Sequence, residues 1–351
     1  MNTIKWIVAI TVLAISSVAF ADKPKIGFIY IGPPGDHGWT YMHDQGRQDI
    51  EIELGYETTY IENVPENADA VRAIRKLAQS GHDLIFTTSF NYMDQTLEVA
   101  KEFPNIKFEH ATGFMRADNV ATYSSRFYEG RTISGHIAGR ESKTGVIGYI
   151  ASFPIPEVVR GINAFMLAAQ KVNPDIKVKI IWAFTWYDPG KEADAAQTLI
   201  NQGADIIVQH TDTYAPCQVA QKNGVKAFGQ ASNQYDFCPD AHLTAIIDEW
   251  GPYYVERAKA VADGTWESKD TWKGLASGMV EMAPYRNMHP DTKYEAIALQ
   301  KALTEGTVHS FEGPIYNQAG ELMVPEGEVA DDGMLAGMNW YVKGIDGQLP
   351  Q

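Results

Sequence analysis

KIGFIYIGPPGDHGWTYMHDQG, residues 25–46, decides the fold. Its first seven residues form an almost unbroken apolar run, the mark of a strand buried on both faces. The GPPGDHG turn then breaks the chain with prolines and glycines. From residue 39 to residue 54 the pattern is helical, and Gly55 is its stop. A strand, turn and helix in this order open a parallel α/β sheet. The turn lacks G-x-G-x-x-G, and no Lys-Ser/Thr follows as in a P-loop. Its prolines also remove backbone donors that an anion nest needs. The stretch is therefore a rigid turn that presents Trp39, a flat ring, at the end of a strand.

The same rhythm continues. YETTYIENV, HDLIFTTS and IKFEHATG are strands, separated by helices over residues 67–79 and 93–101. It then restarts after NVATYSSRF, residues 119–127, which marks a domain boundary. A helix over 128–140, the strand TGVIGYIA, a helix over 156–172 and the strand VKIIWAF follow. A helix over 192–201, the strand ADIIVQH, a helix over 217–223 and the strand VKAFGQ complete the second series. HLTAIIDEW is a strand leading into a helix and KGLASGMVEM is another strand, so the chain passes between domains more than once. Such multiple connections make a hinge. The expected division is a first domain over 22–124 plus about 246–271 and a second over 125–245 plus about 272–318. The tail, 319–351, contains one candidate strand, MNWYVKGI, and is otherwise unplaced.

Composition bounds the function. Hydrophobic residues make up 45% and charged residues 21%, a globular balance over a length that suits two domains. The net charge of −15 argues against nucleic acid and anionic membranes as partners. MNTIKWIVAITVLAISSVAFA, residues 1–21, has the form of a secretory signal with an A-x-A site, so cleavage is expected after Ala21 and the mature protein in the periplasm. In an oxidising compartment the two cysteines, Cys217 and Cys238, form either one disulfide or two buried thiols. The nine histidines are scattered without ligand spacing, so neither metal nor cofactor is expected.

The order of four segments is more specific than any one of them: residues 25–46, YEGRTISGHIAGRESKTGVIGYI, PEVVRGINAFMLAAQKVNP and WYDPGKEADAAQTLINQGADIIVQHTD. Together they resemble the basic membrane protein family of periplasmic substrate-binding proteins. The resemblance covers residues 25–313. It implies the type I periplasmic-binding fold, two doubly wound parallel-sheet domains on a multi-strand hinge, with a ligand between them. It also implies a purine or nucleoside ligand and an ABC transporter permease as partner, without catalysis. Many members carry a lipobox cysteine, which this chain lacks, and a phenylalanine where it has Trp39. The latter favours a free, adenine-like base over a nucleoside.

Ligands of open α/β sheets bind beyond the carboxyl ends of the strands, and most candidates here follow a strand. Trp39 would stack on a base. Asp36 and His37 would line the cleft or shape the turn. Asp44 would reach a purine amino group or sit on a solvated helix face. Ser89 and Phe90 lie at the first domain's cleft edge. The resemblance implies Trp186 as the second face of a sandwich with Trp39, Asp212 as the counterpart of a ribose-binding aspartate, and Lys273 as the counterpart of a cleft lysine. Gln230 both donates and accepts, as a purine edge requires. Asp248 ends the predicted return crossing.

The expectation is a monomeric binding protein. Two other classes compete. A ligand-sensing partner of a membrane receptor has the same sequence features. An exported nucleoside-cleaving enzyme needs a nucleophile, base or metal at the strand ends, and neither a G-x-S-x-G elbow nor a Cys/His arrangement is present.

Overall fold

A computed structural model describes residues 23–350, and the expected signal segment lies outside the described residues. The first lobe begins with β1 (Ile26–Ile29), α1 (Trp39–Leu54), β2 (Thr58–Ile61), α2 (Ala68–Gln79) and β3 (Leu84–Thr87). It continues through α3 (Met93–Glu102), β4 (Lys107–Ala111) and β5 (Val120–Ser125). The chain then crosses into the second lobe: α4 (Phe127–Glu141), β6 (Val146–Ala151), α5 (Pro156–Val172), β7 (Lys177–Trp182) and α6 (Pro189–Asn201). That lobe adds β8 (Ile206–Gln209), α7 (Ala215–Lys222), β9 (Lys226–Gly229) and β10 (His242–Asp248). A return crossing places α8 (Gly251–Ala262) and β11 (Asp270–Lys273) on the first lobe. A third leads to β12 (Val280–Met282), α9 (Pro290–Thr304), the hairpin β13 (Ile315–Tyr316) and β14 (Leu322–Val324), and α10 (Asp332–Ala336).

Each lobe is a six-stranded sheet between helices. The orders are β11-β5-β4-β3-β1-β2 and β12-β10-β9-β8-β6-β7. Every pairing in the first is parallel, and in the second only β12, at the edge, runs antiparallel to its neighbour. All four residues of β1, β3 and β8 are buried, as parallel strands covered on both faces must be. Helices α4 and α5 pack backbone to backbone: a Cβ on Gly135 would stand 2.1 Å from the Phe165 carbonyl oxygen. Among the described residues, no helix is long and apolar enough to cross a membrane.

Residues 119–127, expected as a boundary, contain β5, a buried strand that pairs with β4 and β11 and hands the chain to the second lobe. Ile246, Ile247 and Asp248 pair with β12 in the second sheet, so the return crossing comes after Asp248 rather than at 246. KGLASGMVEM is not one strand. Lys273 ends β11 in the first sheet, a 3₁₀ turn at Leu275–Ser277 changes lobes, and β12 begins at Val280.

Burial anchors the returning segment. Glu109, wholly buried on β4, accepts hydrogen bonds from Tyr253 Oη and Trp266 Nε1, both at 2.7 Å, and from Arg257 Nε. The tail wraps the second lobe, where Leu335, Met338 and Val342 join its main core. MNWYVKGI forms no strand there. Its backbone is instead held by Asn163, which donates to Trp340 O at 2.7 Å and accepts from Val342 N at 3.1 Å. Arg126, at the first crossing, grips both carboxylate oxygens of Asp332 at 2.7 Å.

Candidate functional site

Both sheets aim the carboxyl ends of their strands at the gap between the lobes. A small cavity there is lined from the first lobe by Ile31, Trp39, Ser89, Phe90 and Thr112. Glu157, Trp186, His210, Asp212 and Gln230 line it from the second. Four non-glycine residues with positive φ sit in the loops around it: His37 (56°), Thr112 (60°), Phe184 (49°) and Ala231 (59°). Backbone in this region is held by the surrounding structure, and it concentrates where loops are shaped for ligands.

Trp39 opens α1 and its indole N–H donates to Thr88 O at 2.7 Å. Trp250, at the start of α8, meets it edge-on with ring centroids 5.6 Å apart. The ring is thus set by the first lobe before any ligand arrives. Trp186 comes from the loop after β7 and leans on Phe153, centroids 5.2 Å apart. Its backbone oxygen accepts from Asp212 N at 2.9 Å, and its indole N–H is buried without a protein partner among the described residues. The two tryptophans face one cavity from opposite lobes.

Polar groups complete the wall. Gln230, one residue past β9, turns its amide oxygen to Arg131 Nη2. Asp212 is almost fully buried, and its carboxyl is held far above the ordinary range, first by burial and then by the charges of Asp36 and Glu192. Glu192 rises to about 7 through burial, although Thr213 Oγ1 donates to it at 2.8 Å. Ser89 Oγ donates to Glu66, and its backbone oxygen accepts from the His110 ring at 2.8 Å. The arrangement suits a flat ligand that hydrogen-bonds to a carboxyl group and accepts from an amide.

Five expected residues stand elsewhere. Asp36 caps α1: its carboxylate accepts from the backbone N–H groups of Gly38 (2.8 Å), Tyr41 (2.9 Å) and Thr40 (3.0 Å). Burial still lifts it to about 6. His37 bridges the lobes outside the cavity wall, its carbonyl accepting from Ser232 Oγ and from Gln234 Nε2 at 3.2 Å. Asp44 points into the first lobe, where Arg47 Nε (2.6 Å), Gln48 Nε2 (2.7 Å) and Tyr30 Oη (3.2 Å) all donate to it. Asp248 is fully buried near Ser125 and Arg131 at the hinge and does not reach the cavity wall. Lys273 lies on the outer surface, 3.9 Å from Glu256.

Ile31, Thr112, Glu157 and His210 line the cavity without having been singled out from the sequence. Thr112 and His210 directly follow β4 and β8, and Ile31 lies two residues past β1, so the strand-end rule identifies them. Glu157 lies in the first turn of α5, with its carboxylate 3.7 Å from His210 Nε2. Cys217 and Cys238 form a disulfide with Cα atoms 5.8 Å apart, joining α7 to the loop before β10.

Residues 23–310 match the family model for PnrA-like ABC transporter substrate-binding proteins. A purine-binding protein of Brucella abortus (strain 2308) is 58% identical over 332 residues, 94% of this chain and 95% of that one. A putative ABC transporter glucose-binding protein, TsgA13, of Haloferax volcanii is 33% identical over 331 residues, 94% of this chain and 82% of that one. The crystal structure of an ABC transporter solute-binding protein from Aeropyrum pernix K1 superposes with a TM-score of 0.73 at 17% identity, over 82% of this chain and 92% of that one. That likeness, with the two parallel-stranded lobes, gives the chain the type I periplasmic-binding fold.

Proposed function

The chain belongs to the PnrA-like family of ABC transporter substrate-binding proteins; from that premise we propose that it captures a purine base, adenine-like by preference, and delivers it outside the cytoplasm to a membrane permease. The observation that carries this reading is the pair Trp39 and Trp186, which face one small cavity from opposite lobes. A base between two indoles gains roughly 0.5–1.5 kcal/mol per ring beyond area burial. Asp212 accepts from a base N–H and Gln230 donates to a ring acceptor. The high identity to a protein named for purine binding supports the same ligand class. Neither lobe alone encloses the ligand, so binding favours the closed form, and closure is what a permease can recognise. The role is binding without chemistry.

The test is calorimetric titration of the mature chain with adenine, hypoxanthine, guanine, adenosine and glucose, after mass spectrometry of any small molecule released on denaturation. A purine base as the tightest ligand is the expected result. Tighter binding of glucose favours the sugar reading that the Haloferax relative represents, and conversion of a nucleoside to base and sugar favours an enzyme.

A further inference from the structure

We infer that Arg131 is a positioning residue that locks the Gln230 amide, so that the site recognises a hydrogen-bond acceptor on the edge of its ligand; this rests on the purine reading above. Arg131 stands on α4, wholly buried, with its guanidinium over the rings of Phe127 (4.9 Å) and Tyr149 (5.4 Å). Its Nη2 donates to the Gln209 carbonyl at 2.6 Å and to Gln230 Oε1. A guanidinium has donors only. The Gln230 amide therefore has to turn its oxygen toward Arg131.

The other end of the same residue is also held, since Gln230 N donates to Gln234 Oε1 at 3.3 Å. Gln230 Nε2 has no protein acceptor among the described residues, and Gln230 lines the cavity. An unlocked glutamine offers a ligand either a donor or an acceptor. This one offers a donor only. Asp212 lies on the same wall, and its carboxyl is the neighbouring polar contact. The ligand edge is thus specified as an acceptor at Gln230. Arg131 acts without touching the ligand, because it does not line the cavity.

The experiment is titration of wild type, Gln230→Glu, Arg131→Met and Arg131→Lys with adenine and its 1-, 3- and 7-deaza analogues, each of which replaces one ring nitrogen by C–H. In wild type, one analogue is expected to bind roughly tenfold to hundredfold weaker than adenine, the cost of a buried hydrogen bond left unmade. In Gln230→Glu, which keeps an oxygen for Arg131 but faces the ligand with an acceptor, adenine falls to the level of that analogue and the difference disappears. Arg131→Met shrinks the difference because the amide is free to flip, whereas Arg131→Lys, still a donor, preserves it. A role in stability alone moves the unfolding temperature and leaves the analogue ratios unchanged. If Arg131→Met does not fold, Gln230→Glu decides alone. Unchanged analogue ratios in Gln230→Glu, or equal binding of all analogues by wild type, overturn the inference while the purine reading stands. No saturable binding of any purine by wild type overturns the purine reading and the inference with it.

Discussion

Gly38 of the first lobe meets Asp212 of the second so closely that a Cβ on Gly38 would stand 2.1 Å from the Asp212 carbonyl oxygen. The turn that aims Trp39 is therefore also an interlobe contact. His37, one residue earlier, is bonded through its carbonyl to Ser232 and Gln234. The obstacle to a side chain here is backbone, which cannot move aside as a flexible side chain can.

Gly38→Ala is expected to hold the lobes apart. Ligand affinity should fall at least tenfold, about 1.4 kcal/mol, with little change in the unfolding temperature of the free protein. Small-angle scattering with saturating ligand checks this. A variant that compacts as fully as wild type refutes the contact as a limit on closure.

Trp39→Ala and Trp186→Ala are each expected to weaken binding by roughly tenfold or more, since each removes ring stacking and buried area. Trp186→Phe should keep most of the affinity because a ring remains. Titration with quenching of the remaining tryptophans measures the loss. Equal affinity in Trp186→Ala and wild type would falsify the sandwich.

Burial raises Glu192 from its ordinary 4.5 to about 7. The folded protein then holds this proton more tightly than the unfolded chain does. Its contribution to stability is greatest below the ordinary carboxylate value, falls as pH rises toward about 7 and is flat above. Glu192→Gln has no charge to desolvate. Its unfolding temperature relative to wild type should therefore rise between about pH 5 and about pH 8. Parallel melting curves that keep a constant offset across this range would contradict the assignment.

The Cys217–Cys238 disulfide closes a loop of sequence separation 21. Loops of this size stabilise by about 3 kcal/mol in the chain-entropy account. Reduction, or Cys217→Ser with Cys238→Ser, should lower the unfolding temperature by several degrees and leave ligand stoichiometry unchanged. The double variant melting with wild type is the outcome that excludes it.

Most elements up to β10 were legible because buried parallel strands are apolar runs and several helices stop at or just before a glycine, as α1 does at Gly55, whereas α9, the β13–β14 hairpin and α10 were not read. The strand β5 also escaped: Val120–Ser125 is mixed in polarity, and its burial comes from β4, β11 and the returning α8, whose Tyr253 and Tyr254 pack on Tyr123. Trp39, Ser89, Phe90, Trp186, Asp212 and Gln230 stand together because strand ends converge. Asp44 was misplaced because an acid on a helix faces a cleft or a local arginine with the same spacing. Here Arg47, three residues on, holds it. Glu157 was passed over because only the packing of α5 brings it beside His210.

From sequence alone the α/β rhythm, the two lobes and the ring presented by the GPPGDHG turn were determined, since these depend on local pattern and on neighbours along the chain. Tertiary structure alone decided that Asp36 caps a helix, that Asp248 lies beneath the hinge and that Gln230 faces the cavity with its nitrogen. Asp36 is held by backbone N–H groups of the next turn and Gln230 by Arg131, far back along the chain, while Asp248 is buried with no hydrogen-bond partner for its carboxylate among the described residues; none of these surroundings is written in the local pattern.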